Sequence, residues 1–158
     1  MLYSVSIYSQ GQLKVFQDWQ SNAGSQNFLF KNRTKTDASN NIYVVGATMT
    51  GSGAYDILVA KYNPQGTQLW INQYNGTGNS NDFGTGVTID ASGNVYITGT
   101  TCTSALPTSA DLIVIKYNSA GVQQWLQTYN GTGSNYDSGA DIFQMTGTNV
   151  GIYITGSS

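Results

Sequence analysis

The sequence predicts an all-β fold assembled from repeated four-stranded units, and three observations carry that reading. A ten-residue segment, Asp37-Ala38-Ser39-Asn40-Asn41-Ile42-Tyr43-Val44-Val45-Gly46, returns 53 positions later as Asp90-Ala91-Ser92-Gly93-Asn94-Val95-Tyr96-Ile97-Thr98-Gly99. Apolar and polar residues alternate over short runs rich in Val, Ile, Tyr, Trp and Thr, which is the strand signature. No apolar stripe of helical period persists, and 19 glycines in 158 residues recur too often for long helices.

The elements follow in order from the best-preserved copy. Strand one is Asn94 to Gly99, with Val95 and Ile97 on one face and Tyr96 and Thr98 on the other. Asp90-Ala91-Ser92-Gly93-Asn94 before it is a turn, its aspartate placed to accept backbone amides. Strand two is Leu112 to Tyr117, inside a segment from Asp111 to Asn118 that repeats Asp56 to Asn63 at offset 55. The larger offset places two extra residues in the loop around Thr103 to Ser109. Ser119-Ala120-Gly121 and Pro64-Gln65-Gly66 are turns with a glycine free to take positive φ. Strand three runs from about Val122 to Tyr129 and repeats Trp70 and Tyr74 as Trp125 and Tyr129; strand four runs from about Ser138 to Gln144. Gly151-Ile152-Tyr153-Ile154-Thr155-Gly156 opens a further copy of strand one. The first third is diverged: Gly11, Phe16 and Trp19 stand 55 residues before Gly66, Ile71 and Tyr74, with Ser4 to Tyr8, Leu13 to Trp19 and Phe28 to Thr34 as its strands two, three and four.

Four strands in a period near 53 residues fit a β-propeller blade, and the chain holds three blades' worth of strands. The expected organisation is a single β-propeller-like domain over 1–158, with units of approximately 4–46, 56–99 and 111–156, each cut as strands two, three, four and one. The succession Asp-x-x-Gly-Asn-Val-Tyr-Ile-Thr-Gly, Asp-Leu-Ile-Val-x-Lys-Tyr-Asn, a strand tryptophan, Tyr-Asn-Gly-Thr-Gly and Asp resembles the bacterial and archaeal beta-propeller repeat family known as SBBP. The resemblance covers residues 37–158 well and 1–36 poorly, where the strand-two lysine and the Tyr-Asn-Gly-Thr-Gly segment are lost. It implies a propeller fold and a secreted or surface setting, and says little about activity.

Composition removes most chemistry. Charged residues are 9%, against about 25% in ordinary soluble domains, and about half of the chain is Gly, Thr, Ser, Asn or Gln. There is no His and all eight acidic residues are aspartates, so histidine general bases and glutamate glycosidase pairs are excluded. Asp and the lone Cys102 make a poor zinc set, and an Asp90 loop with one carboxylate is too sparse for calcium; no metal or cofactor is expected. Six basic residues cannot supply the footprint of a nucleic-acid binder. No apolar run approaches a membrane span, and Met1-Leu2-Tyr3-Ser4-Val5 shows no signal-peptide pattern.

The candidate site residues come from the repeats. Tyr43, Tyr62, Tyr96, Tyr117 and Tyr153 are expected to pack blade against blade. Trp70, Tyr74, Asn75, Trp125, Tyr129 and Asn130 would form a carbohydrate platform, aromatic faces beside amide side chains, or else further packing and turn positions. Lys61 and Lys116 are read as stems lying on the neighbouring blade, with their ammonium groups paired to repeated aspartates or reaching solvent. Cys102 has no histidine partner and is read as a bystander, and the Asn-x-Thr patterns at Asn32, Asn75 and Asn130 are expected by chance in so Asn- and Thr-rich a chain.

Three blades are too few for a ring of four to eight. The expectation is therefore a non-enzymatic structural or surface-interaction module that partners itself, as a dimer completing a ring ahead of an open filament, at the cell surface or outside the cell. The sequence as a piece of a longer propeller is the mundane alternative, a glycan-binding propeller is the functional rival, and an aspartate-based enzyme stands third.

Overall fold

Short alternating runs separated by Asx-anchored turns give twelve strands and no helix among the residues described by the computed structural model. Those residues are 2–7, 15–21, 29–50, 53–103, 110–132, 136–147 and 150–158, with side chains from Arg33 onward. In chain order the strands are β1 (Leu2–Ile7), β2 (Val15–Ser21), β3 (Leu29–Thr36), β4 (Ile42–Met49), β5 (Tyr55–Tyr62) and β6 (Gln68–Tyr74). They continue as β7 (Phe83–Ile89), β8 (Val95–Cys102), β9 (Ala110–Tyr117), β10 (Gln123–Tyr129), β11 (Ser138–Met145) and β12 (Gly151–Ser157). All pairing is antiparallel between successive strands: β3-β4-β5-β6 and β7-β8-β9-β10 are four-stranded sheets, while β1-β2 and β11-β12 have two strands each. The arrangement is all-β and propeller-like, and among the described residues no pairing joins β12 to β1 to close a ring.

The turns explain why the meanders form. Asp37 Oδ1 accepts the amides of Ser39 and Asn41, while Oδ2 accepts Asn41 Nδ2 at 2.9 Å and the Tyr43 hydroxyl at 3.0 Å. Asp90 repeats this with Ser92, Asn94 and Tyr96. Such Asx turns satisfy backbone amides that a bare loop would leave to solvent. Asn63 and Asn118 do the same service between β5 and β6 and between β9 and β10.

Stacking of the sheets makes the cores. Tyr43, Val45, Ile57 and Val59 of the β3–β6 sheet meet Val87, Val95, Ile97, Ile113, Ile115 and Tyr117 of the β7–β10 sheet, all buried. The opposite face of β3–β6 buries Val44, Leu58, Ala60 and Tyr62. The opposite face of β7–β10 packs Tyr96 and Val114 against Ile142 of β11. Each fully buried aliphatic side chain contributes roughly 1.5–3 kcal/mol, so both faces of the central sheet are held. The first strand of each sheet approaches its predecessor closely: a Cβ added at Gly84 of β7 would lie 2.5 Å from Val45 Cγ2 of β4.

The strand grouping differs from the sequence expectation. Ser138 to Gln144, expected as the fourth strand of the unit begun at Asn94, is β11 and pairs with β12 of the next sheet. The unit 56–99, cut as strands two, three, four and one, runs over β5 and β6 of one sheet and β7 and β8 of the next. A repeat length fixes the size of a unit and not where to cut it. The sheets begin one strand earlier: β7, β8, β9 and β10 pair in succession as one meander, while β11 pairs with β12. The expected extra loop residues at 104–109, Gly11, and parts of the strands expected at Ser4 to Tyr8, Leu13 to Trp19 and Phe28 to Thr34 lie outside the described residues.

Candidate functional site

The seams between sheets carry the repeated aromatic and acidic residues. Trp70 on β6 is half-buried, with Tyr43 edge-on at 6.0 Å and Tyr117 of the next sheet at 6.3 Å between ring centroids. Its Nε1 donates to Ser119 O at 3.2 Å, and the neighbouring Asn72 Nδ2 donates to Gly121 O at 2.7 Å. Gly121, at φ +83°, brings the β9–β10 turn so close that an added Cβ would stand 2.8 Å from Trp70 Cδ2. Only glycine combines that φ with that approach. One sheet further on, Trp125 keeps the first contact, Tyr96 at 6.0 Å, and remains 39% exposed.

The Tyr-Asn-Gly-Thr-Gly segments are loop anchors. Asp82, fully buried, accepts Gly76 N at 2.6 Å, Thr101 Oγ1 at 2.7 Å and Cys102 N at 3.1 Å, and its own amide donates to Tyr55 O. Burial pushes its carboxyl above the usual range against those three donors, and Asp56 nearby adds to the rise. At the matching place Asp137 accepts Gly131 N at 2.7 Å, and its amide donates to Ala110 O. Its Oδ1 is buried and has no hydrogen-bond partner among the described residues. Asp56 Oδ1 is likewise unpartnered while its Oδ2 accepts Gln73 Nε2.

The lysines lie on aromatic faces. Lys61 Nζ is 5.0 Å from the Tyr43 ring centroid and 3.9 Å from Asp37 Oδ2, and Lys116 Nζ is 5.2 Å from the Tyr96 centroid. Burial would raise the Asp37 and Asp90 carboxyls, but hydrogen bonds led by Asn41 and Asn94 hold both below the ordinary value. Burial pushes the Tyr117 hydroxyl up to about 12. Cys102 is buried, and burial together with Asp82 and Asp111 pushes its thiol up.

A cleft of about 460 Å3 opens where β3, β7 and β11 converge, lined by Arg33, Phe83, Thr85, Thr100, Tyr136 and Ser138 among others. Arg33 Nε donates to Thr85 O at 3.2 Å, and Thr85 Oγ1 donates to Gly139 O, tying the three inner strands together. The sequence reading missed this cleft, since its lining residues come from three sheets and share no motif. Among the described residues no three His, Cys, Asp or Glu side chains converge as a metal site.

The expected carbohydrate residues are split by the fold. Trp70 and Tyr74 sit in the closed seam, Tyr74 half-buried against the core. Trp125, Tyr129, Asn75 and Asn130 are exposed, Tyr129 at 56%. Of the expected packing tyrosines, Tyr43, Tyr62, Tyr96 and Tyr117 are buried, whereas Tyr153 is 39% exposed and stacks on Phe143 at 5.5 Å.

Residues 69–102 match the SBBP beta-propeller repeat family. That stretch runs from β6 across the Asp82 loop to the end of β8, so it spans the passage from one sheet to the next. An uncharacterized WD repeat-containing protein of Acanthamoeba polyphaga mimivirus is 25% identical over 189 aligned residues, covering 87% of this chain. The chain spans 13% of that relative's length.

Proposed function

We propose that this chain is a non-enzymatic propeller module, a single domain of three blades' worth of strands that acts by associating with further copies of itself at the cell surface or outside the cell. One observation carries the reading. The strand motif Val-Tyr-Ile-Thr-Gly is buried at every residue of β8, while its counterpart in β12 is largely exposed, with Phe143, Met145 and Tyr153 of the same sheet uncovered. A sheet built from buried-strand sequence and left open on a face is an association surface. Among the described residues, two whole sheets and two half-sheets amount to three blades' worth of strands, fewer than a ring of four to eight.

The test is sedimentation or light scattering across a concentration series. A dimer or a polymer is the expected result, and a 16.9 kDa monomer at all concentrations overturns the reading. A second reading rests on Trp125 and Tyr129, both exposed on β10 beside Asn130. A glycan-binding role predicts binding on a glycan array that Trp125→Ala abolishes without loss of fold.

A further inference from the structure

We propose that Asn75 and Asn130 are sites of spontaneous deamidation that the fold holds shut, with the buried carboxylates of Asp82 and Asp137 as the locks. The inference goes beyond self-association and does not depend on it.

The chemistry starts from the sequence. Asn75-Gly76 and Asn130-Gly131 are the two Asn-Gly steps of the chain. At such a step the glycine amide nitrogen attacks the side-chain carbonyl carbon of the asparagine. The amide proton passes to water or hydroxide, the new C–N bond closes a succinimide, and the side-chain nitrogen leaves as ammonia. Water then opens the ring to aspartate or isoaspartate, so water is the only co-reactant. A glycine in second place favours the attack, because it has no side chain to hinder the approach and its backbone is free to turn.

Packing demands glycine at both places. A Cβ on Gly76 would stand 2.5 Å from Thr101 Oγ1 and 3.0 Å from Asp82 Oδ1. A Cβ on Gly131 would meet Ser158 Oγ and lie 2.8 Å from Asp137 Oδ1. The asparagine before each glycine is exposed to water. Composition and exposure alone would leave both steps reactive.

Hydrogen bonding takes the nucleophile away. Gly76 N donates to Asp82 Oδ2 at 2.6 Å, and Gly131 N donates to Asp137 Oδ2 at 2.7 Å. Both aspartates are buried. To attack, the nitrogen must give up the proton that binds it to the carboxylate, and the amide anion would then face a negative charge in place of a hydrogen-bond acceptor. At the first step the loop is tied twice more. The Gly76 carbonyl accepts Asn79 N at 3.3 Å, and the Asn75 carboxamide donates to Asn79 Oδ1 at 2.9 Å. Ring closure requires that carboxamide to turn onto the nitrogen of its own glycine, so these bonds have to open before the reaction starts.

The test is mass spectrometry of aspartate and isoaspartate at both positions during long incubation at mildly alkaline pH. Synthetic peptides of residues 72–79 and 127–134 serve as the unprotected reference. In the folded chain each asparagine is expected to convert at least about tenfold more slowly than in its peptide, the weight of opening one charge-assisted hydrogen bond. Conversion at the peptide rate overturns the proposal. Asp137→Ala should speed Asn130 towards its peptide rate while Asn75 in the same molecules stays slow, and Asp82→Ala should do the reverse. Asp82→Asn, which keeps a carbonyl oxygen for Gly76 N, should hold Asn75 slow. If Asp137→Ala leaves Asn130 slow, or speeds both asparagines alike, the aspartate is not the lock and the proposal falls.

Discussion

The seam between β3–β6 and β7–β10 and the seam between β7–β10 and β11–β12 are built from the same repeated residues, yet one is closed and the other half-open. In the closed seam Trp70 has Tyr43 and Tyr117 as neighbours and the Ser119 carbonyl as hydrogen-bond acceptor. In the open seam Trp125 keeps only the counterpart of Tyr43 among these, Tyr96. Among the described residues Asp82 has three donors where Asp137 has one. The difference teaches that a repeat residue's energy lies in the next unit and not in the residue. In a stacked array each repeat is stabilised by its nearest neighbours, and the seam with fewer strands alongside, among the described residues, shows more exposed aromatic area.

The largest test of that comparison is at the aspartates. Asp82→Ala leaves Gly76 N, Thr101 Oγ1 and Cys102 N without their acceptor in a buried site, a loss of about 3 kcal/mol or more. Asp137→Ala orphans Gly131 N alone among the described residues and is expected to cost about 1 kcal/mol. Urea denaturation of both variants checks the ordering, and equal losses would mean that the seams are energetically alike.

The tryptophans come next. Trp70→Ala should lower the thermal midpoint by several degrees, corresponding to about 2–3 kcal/mol, since it opens a space in the closed seam. Trp125→Ala should cost under about 1 kcal/mol, because the ring is 39% exposed among the described residues. Under conditions of assembly the same variant should lose association, which a monomer-only melting curve would not register.

The smallest effect concerns the turns. Asp37 and Asp90 have carboxyls held below the ordinary 3.8, so each contributes stability that is full above that value and is lost as pH falls through the lowered native value. Asp82 has the opposite sign: its raised carboxyl costs stability above its native value, and acid relieves that cost. The connection between β11 and β12, residues 146–150, has no aspartate and adds nothing to either trend. Asp90→Asn should therefore be less stable than the parent at neutral pH, with the gap shrinking below pH 3.8. A gap constant with pH would show that the Asp90 carboxyl titrates alike in the folded and unfolded chain.

Much of this was legible in the residues. Alternation gave the strands, and the segment from Asp90 to Asn94 announced its own turn, because an Asx turn is a local device whose donors lie within six residues. The two-sided pattern of Val95, Tyr96 and Ile97 was also readable, since side-chain direction alternates along any strand. Other features were hidden. The asparagine turns at Asn63 and Asn118 had a signal in the repeated Tyr-Asn pair, which went unread beside the more obvious glycines. The cleft at Arg33 and Tyr136 had no signal, because it exists only where three inner strands meet.

By itself the sequence determined the strand content, the turn chemistry and the repeat length, all of which depend on residues near one another along the chain. Only the tertiary structure decided where a sheet begins, that Ser138 to Met145 opens a new one, and that Trp70 is enclosed while Trp125 is not. Those outcomes depend on which unit stands alongside, and two copies of a motif with the same residues carry no mark of their neighbours.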